Sequence, residues 1–230
     1  MFHSARRMIS LVDDEEGYVL PFQRFETRSD VFKGIENYRL VLSRANPGTF
    51  FTPTHKNVDS LAVVVNGRAS ITLIHQSNKE TYNVVVGDII RIRAGTIVHC
   101  VNPDDDLQLF NMLELTVSTP DYFESFFVAG SNNHHSYFNF TSVNRESFYN
   151  AFSNEVLQAA FNTDKDEARK LIEGRNDYVF VKVSQEQIKA LLLSDQNSSE
   201  SGNQHLSTPY NIFNQDPSYS NIYGKLHEIN

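Results

Sequence analysis

The chain has 230 residues, 40% of them hydrophobic, and a formal net charge of −8 at pH 7. That length can bury one sizeable core with extensions. The acidic balance excludes a non-specific nucleic-acid binder, which needs a basic surface, and no apolar run reaches the roughly 18 residues of a membrane span. A single cysteine, Cys100, excludes an intramolecular disulfide. The 22 Asn and 9 Gln stand against three Met and one Cys. So nitrogen-rich and sulfur-poor a chain reads either as a polar, turn-rich surface or as a nitrogen reserve.

The N-terminal residues 1–16 are polar, lack the apolar core of a signal peptide, and end in an acidic run, Asp13 to Glu16, read as a solvated turn. From Gly17 short strand-like segments begin: Tyr18–Leu20, then Asn37–Arg44, where Leu40 and Leu42 alternate with Arg39 and Ser43. That period of two suits a half-buried strand. Asn46-Pro47-Gly48 is a turn. Leu61 to Val65 is a run of apolar residues suited to a strand buried on both faces. Asn66-Gly67 turns the chain, and Ala69, Ile71 and Leu73 alternate with Ser70 and Thr72 before a hairpin near Gln76–Lys79. Further strands follow at 81–86, 89–92, 96–101 and 107–117. About nine short strands with turns every eight to twelve residues argue for a sandwich or barrel over residues 17–117.

Near Asn144 the hydrophobic period changes to that of an amphipathic helix, carried by Phe148, Ala151, Phe152, Leu157, Ala160 and Phe161. Ser153 caps a new helix. Thr163 with Asp166, and Ser184 with Gln187, match capping boxes, and Gly174 suits a helix stop. Tyr178 to Val183 is a short strand-like run, and a last helix reaches about Leu193. The organisation predicted is a barrel with an N-terminal extension over 1–143, a helical arm over 144–193, a flexible polar linker over 194–208, and an aromatic connector over 209–230.

Two blocks carry a resemblance. The first runs from Gly48 through Pro53 and His55 to Ser60 and Gly67. The second runs from Gly87 through Arg93, Gly95 and Val98 to Asn102. Their glycine and asparagine skeleton resembles the paired motifs of cupins. Aligned on it, the four metal-ligand positions hold Pro53, His55, Ser60 and Val98. Three ligands are the usual minimum for a protein metal site. His55 is therefore the one candidate left, and no stoichiometric metal or other cofactor is expected.

The match narrows further. Phe25–Asp30, Gly34–Leu40, Asn66-Gly67-Arg68, Gly87–Arg91, Phe126–Gly130, Ala151–Leu157, Ala159–Thr163 and Ser184–Ile188 resemble words of the vicilins, trimeric seed storage globulins of plants. The resemblance covers Phe2 to Gly224 and implies a mainly β protein, a cupin jelly-roll barrel followed by an α-helical arm. It implies the N-terminal half of a two-cupin chain, the C-terminal half as a partner chain, and a homotrimer of such units. Phe148, Phe152 and Leu157 then either bury against a neighbouring barrel or pack within the chain. Location in the seed protein storage vacuole, reached through the secretory pathway with the signal peptide already absent, is implied too.

The leading function is a non-catalytic nutrient reservoir. One alternative is a binding module that holds a small molecule, such as an organic anion, at the barrel mouth. The other is a metal-dependent cupin enzyme, which the substituted ligand positions oppose. Alternation puts Val98, Cys100 and Asn102 on one strand face and His99 on the other. His55, Cys100 and Asn102 are the candidate pocket residues. His134-His135 reads as a solvated loop, and Asn139 and Asn197 head glycosylation sequons.

Overall fold

Period-two segments bounded by Gly, Asn and Pro turns have to pair across the chain, and the strand order shows how. The computed structural model describes residues 12–22, 25, 29–76, 78–103, 108–117, 125–128, 147–172, 179–196 and 208–227. The strands are β1 Val12–Asp14, β2 Gly17–Pro21, β3 Tyr38–Ala45, β4 Thr49–Lys56, β5 Ser60–Asn66, β6 Arg68–His75, β7 Asn78–Val85, β8 Asp88–Ile92, β9 Ile97–Asn102, β10 Phe110–Val117 and β11 Ser125–Phe127. After them come α1 Asn154–Phe161, α2 Lys165–Ile172, β12 Phe180–Lys182, α3 Gln185–Gln196, β13 Tyr210–Asn211, β14 Tyr219–Asn221 and β15 Gly224–Leu226. Two antiparallel sheets face each other, β1-β2-β3-β10-β5-β8-β13 and β11-β4-β9-β6-β7, with β12 also on β4. The fold is mainly β with a helical arm, as expected. The expectation of about nine strands over residues 17–117 is met by β2 to β10; the additional strands lie outside that range and are two- or three-residue pieces, too short to show a period.

Inward residues of both sheets make one core. Ile71, Leu73, Val64, Val84 and Ile90 are almost wholly buried and pack in one cluster with Cys100, Phe110, Phe127 and Phe180. Each such aliphatic side chain contributes roughly 1.5–3 kcal/mol by leaving water. Gly67 is required where the chain turns from β5 to β6: its φ is +74°, and a Cβ there would lie 2.3 Å from the Leu109 carbonyl oxygen.

Several local expectations are corrected. The acidic run is not merely solvated: Asp14 Oδ2 accepts hydrogen bonds from the backbone N–H groups of Val179, at 2.8 Å, and Phe180, at 3.2 Å. That carboxylate ties the start of the chain to β12, and the Phe180 ring lies over Gly17, 2.7 Å from where a Cβ would sit. Leu61 to Val65 is not buried on both faces. Ala62 and Val64 point into the core, while Val65 is 44% exposed. Leu40 and Leu42 likewise face outward, whereas Val41 and Ser43 line the interior.

In the arm, Ser153 Oγ accepts from Val156 N–H and caps α1. Asp164, not Thr163, caps α2, accepting from the N–H groups of Asp166 and Glu167, both at 2.9 Å. Ser184 and Gln187 form the reciprocal box expected of them, with Ser184 N–H donating to Gln187 Oε1 and Gln187 N–H to Ser184 Oγ. α3 runs on to Gln196, past the expected end at Leu193. Leu157 packs within the arm against Ala168, Ile172 and Tyr149. Phe148 and Phe152 make edge-on ring contacts within the chain, Phe148 with His55 and Phe126 and each with the other, yet stay 41% and 43% exposed, so of the three only Leu157 is fully buried by internal packing. Gly174, His134, His135, Asn139 and Asn197 lie outside the described residues.

The C-terminal segment returns to the barrel. β13 pairs with β8, Tyr210 opposite Ile89. Asn211 Nδ2 donates to Asp88 Oδ1 at 2.7 Å and to the Val86 carbonyl at 3.1 Å. The Phe213 ring sits on Gly87, whose φ is +92° and whose Cβ would be 2.3 Å from that ring.

Candidate functional site

Strand pairing decides which of the candidate residues can meet. His55 on β4 lies opposite Ile97, while Cys100 and Asn102 on β9 lie opposite Phe51 and Thr49. Ile97 is an odd number of residues from Cys100, so His55 takes the other face. The structure therefore does not bring the three together, and the pocket expected from them is corrected to a different set. Each of the three has a packing or hydrogen-bonding role. The His55 ring stacks on Phe126 at 5.0 Å and meets the edge of Phe148 at 5.4 Å. Partial burial lowers its pKa below the usual histidine value of 6.5, favouring the neutral ring. Cys100 is buried in the core and its thiol is pushed up to about 12 by desolvation, so it is no nucleophile at neutral pH. Asn102 Nδ2 donates toward the carbonyl oxygens of Ala45, Asn46 and Gln108 at 2.9–3.1 Å. It pins the turn before β4 and has no donor left for a ligand.

The interior does hold a cavity of about 70 Å³ between the two sheets. Its wall is mostly apolar, with Val19, Phe51, Ile92, Val98 and Met112 prominent, and His55 stands at its edge. The charged groups on it are Lys56 and Glu114, one from each sheet, joined by an ion pair through Glu114 Oε2. Glu114 is 3% exposed, and no described group donates a hydrogen bond to its Oε1. Thr54, Thr96 and Ser43 add hydroxyls, of which Thr96 Oγ1 is paired with His75 Nδ1 at 3.1 Å. Two residues along β10 from Glu114, on the same face, Thr116 sits opposite Ser60, both buried and both with hydroxyl oxygens that have no described partner.

Among the positions aligned with metal ligands, Val98 forms wall, Ser60 is a buried hydroxyl, and Pro53 falls at the irregularity between Phe51 and Thr54 where β4 slips against β9. No group of three or more His, Cys, Asp or Glu side chains suited to a metal occurs among the described residues. Sequence reasoning missed the Lys56–Glu114 pair. The available signal was Glu114 sharing the inward parity of Phe110 and Met112 on β10; a charge at an inward position calls for a partner.

With this geometry the chain can be set beside known proteins. No family model matches it. Vicilin Pis v 3.0101 of Pistacia vera is 40% identical over 219 residues, 94% of this chain and 38% of that protein. The crystal structure of vicilin from Corylus avellana is 34% identical with a TM-score of 0.75, covering 97% of this chain and 56% of that one. The chain is a vicilin homologue. Vicilin from Capsicum annuum superposes with a TM-score of 0.81 at 27% identity, over 95% of this chain and 56% of that one. The chain spans about half the length of these solved vicilins and a third to a half of the curated vicilin-type relatives it matches. It is thus the counterpart of part of a vicilin, and the helical arm and returning C-terminal segment belong to that part.

Proposed function

We infer that the chain is one half of a vicilin-type seed storage globulin, a non-catalytic nutrient reservoir of nitrogen kept in the seed protein storage vacuole. The observation that carries this reading is 40% identity to a vicilin over 94% of the chain. The amide-rich, sulfur-poor composition supports it. So does chemistry: the one thiol is buried and protonated, and His55 is held between aromatic rings.

The partner half has a surface waiting for it. Across the outer face of the first sheet, Leu20, Leu42, Leu113, Val63, Ile89 and Tyr210 are successive register partners. Leu40, Leu115 and Leu61 form a second row beside them. Most of these side chains remain partly exposed, and continuous apolar area of this kind marks an interface. A second patch lies on the arm, where Phe148, Phe152, Val156 and Phe161 are each 38–50% exposed. It suits contact between neighbouring units in a closed trimer, which satisfies every copy at once.

Quantifying the chain through seed filling and germination tests the storage reading. Accumulation during filling and breakdown on germination are expected; a constant low level throughout overturns it. Light scattering on native material tests assembly, and the mass of one lone chain overturns the partner-half and trimer readings.

A further inference from the structure

We propose that Asn66 is a self-modification site that works as a one-way latch: the closed turn between β5 and β6 shields it, and opening of that turn lets Asn66 lose its amide nitrogen and then prevents closure. This goes beyond the storage reading and does not depend on it. Of the 22 asparagines, Asn66 is the one followed by glycine. A glycine nitrogen has no side chain beside it, so it reaches the side-chain carbonyl carbon of a preceding asparagine most readily. The fold leaves no way to remove this weakness. Gly67 has a φ of +74°, and a Cβ there would lie 2.3 Å from the Leu109 carbonyl oxygen. Any side chain that would hinder the nitrogen is excluded.

The reaction needs only water. The Gly67 nitrogen, its proton passed to hydroxide, attacks Cγ of Asn66. The Cγ–Nδ2 bond breaks, and Nδ2 leaves as ammonia, taking a proton from water. A further water opens the cyclic imide at either carbonyl, giving aspartate or isoaspartate. In the closed turn one oxygen opposes the first step twice. Asn66 is exposed, yet its Nδ2 donates to the Leu109 carbonyl at 2.7 Å, and Gly67 is buried against that same oxygen. Asn66 is also the last residue of β5, and an extended backbone holds the next nitrogen away from Cγ. Ring closure therefore waits for the turn to leave Leu109, a local opening. The product cannot go back. A carboxylate only accepts hydrogen bonds, so aspartate would face the Leu109 carbonyl as acceptor to acceptor, and isoaspartate adds an atom to the backbone of the turn. What is lost is a clamp on the entry to β10. Asn66 holds Leu109 and Asn102 holds Gln108, and the next residue, Phe110, is a core side chain only 3% exposed.

The test is ageing of the full chain in mildly alkaline buffer, folded and in urea, followed by mass spectrometry of tryptic peptides. The peptide Asn57–Arg68 carries the site. Conversion of amide to acid changes its mass, and fragmentation assigns the change to Asn66 or Asn57. In urea Asn66 is expected to convert ahead of the other asparagines. In the folded chain it should convert at least about tenfold more slowly, because the rate follows the open fraction. Asn66→Asp, the product made as a variant, is expected to lower the urea midpoint, while Asn37→Asp, which puts the same charge in the exposed turn before β3, leaves it unchanged. Equal conversion rates in the folded chain and in urea overturn the shielding, and equal midpoints for the two variants overturn the latch. Where Asn66→Asp does not fold, the aged natural chain takes its place. After dilution from urea, converted chains should be concentrated in the fraction that a protease digests, and an even spread between digested and resistant fractions overturns the proposal.

Discussion

The two sheets turn opposite kinds of surface outward. The outer face of the first is a ladder of Leu and Val that stays partly open. The outer face of the second is largely polar, yet it is covered: Ser70, Thr72, His99 and Val101 are all at most 8% exposed. Thr72 and Thr81 bond across the strands at 2.9 Å, the His99 ring meets Phe50 at 5.7 Å, and α3, following directly on β12, packs against β7 and buries Ile188. Polarity alone would have assigned water to the wrong side. A polar residue can be buried when its groups are paired, and an apolar one can be left open when another surface is to cover it. The second sheet is finished by this chain's own helix; the outer face of the first stays partly open.

The sharpest way to break this comparison is to place a charge on each face. Ile188→Asp, on the covered side, buries an unpaired carboxylate and should cost about 3 kcal/mol or more, seen as a lower denaturant midpoint of the chain alone. Leu113→Asp, on the open side, should change that midpoint far less. It should instead weaken assembly at least tenfold, measured by light scattering or sedimentation. If Leu113→Asp unfolds the chain and Ile188→Asp does not, the assignment of the two faces is reversed. A smaller effect comes from Thr72→Val, which keeps shape but removes the bond to Thr81. It should cost about 1 kcal/mol in chemical denaturation, and no loss would mean that the covered face is held by packing alone.

The smallest effect concerns pH. His55 sits where the second sheet meets the aromatic rings of Phe126 and Phe148, and its pKa is lowered by desolvation. A histidine whose folded pKa lies below its unfolded value binds fewer protons folded than unfolded. Its contribution is present above about 6.5 and is lost as pH falls through the folded pKa. Thermal melts between pH 7.5 and 5 should show a fall that His55→Phe flattens; an identical slope in the variant would remove His55 as its cause.

The fold was largely legible because it rests on local signals. Alternation in β6, the Asn-Gly turn after β5, the capping box at Ser184 and the switch of period near the arm all carry their own physics. Which face of a strand points inward was less legible. Leu40 and Leu42 alternate with Arg39 and Ser43 in the sequence, but the leucines face out because an apolar outer surface is as consistent with that pattern as an apolar core. The site was hardest to read. Conserving a motif's skeleton guided attention to His55, Cys100 and Asn102, whereas the cavity's charges come from Lys56 and Glu114 on strands 50 or more residues apart. Only the closing of one sheet over the other makes them neighbours.

The strap formed by β13 and the Phe213 ring on Gly87 has a consequence for solubility. β8 would otherwise end the first sheet with a row of unpaired backbone groups, a template on which another chain can add a strand. A segment more than 115 residues further along the sequence occupies part of that edge and locks itself there through Asn211 and Asp88. That part of the edge is thereby closed to strand addition by another chain, so edge-to-edge growth is opposed at this end of the sheet.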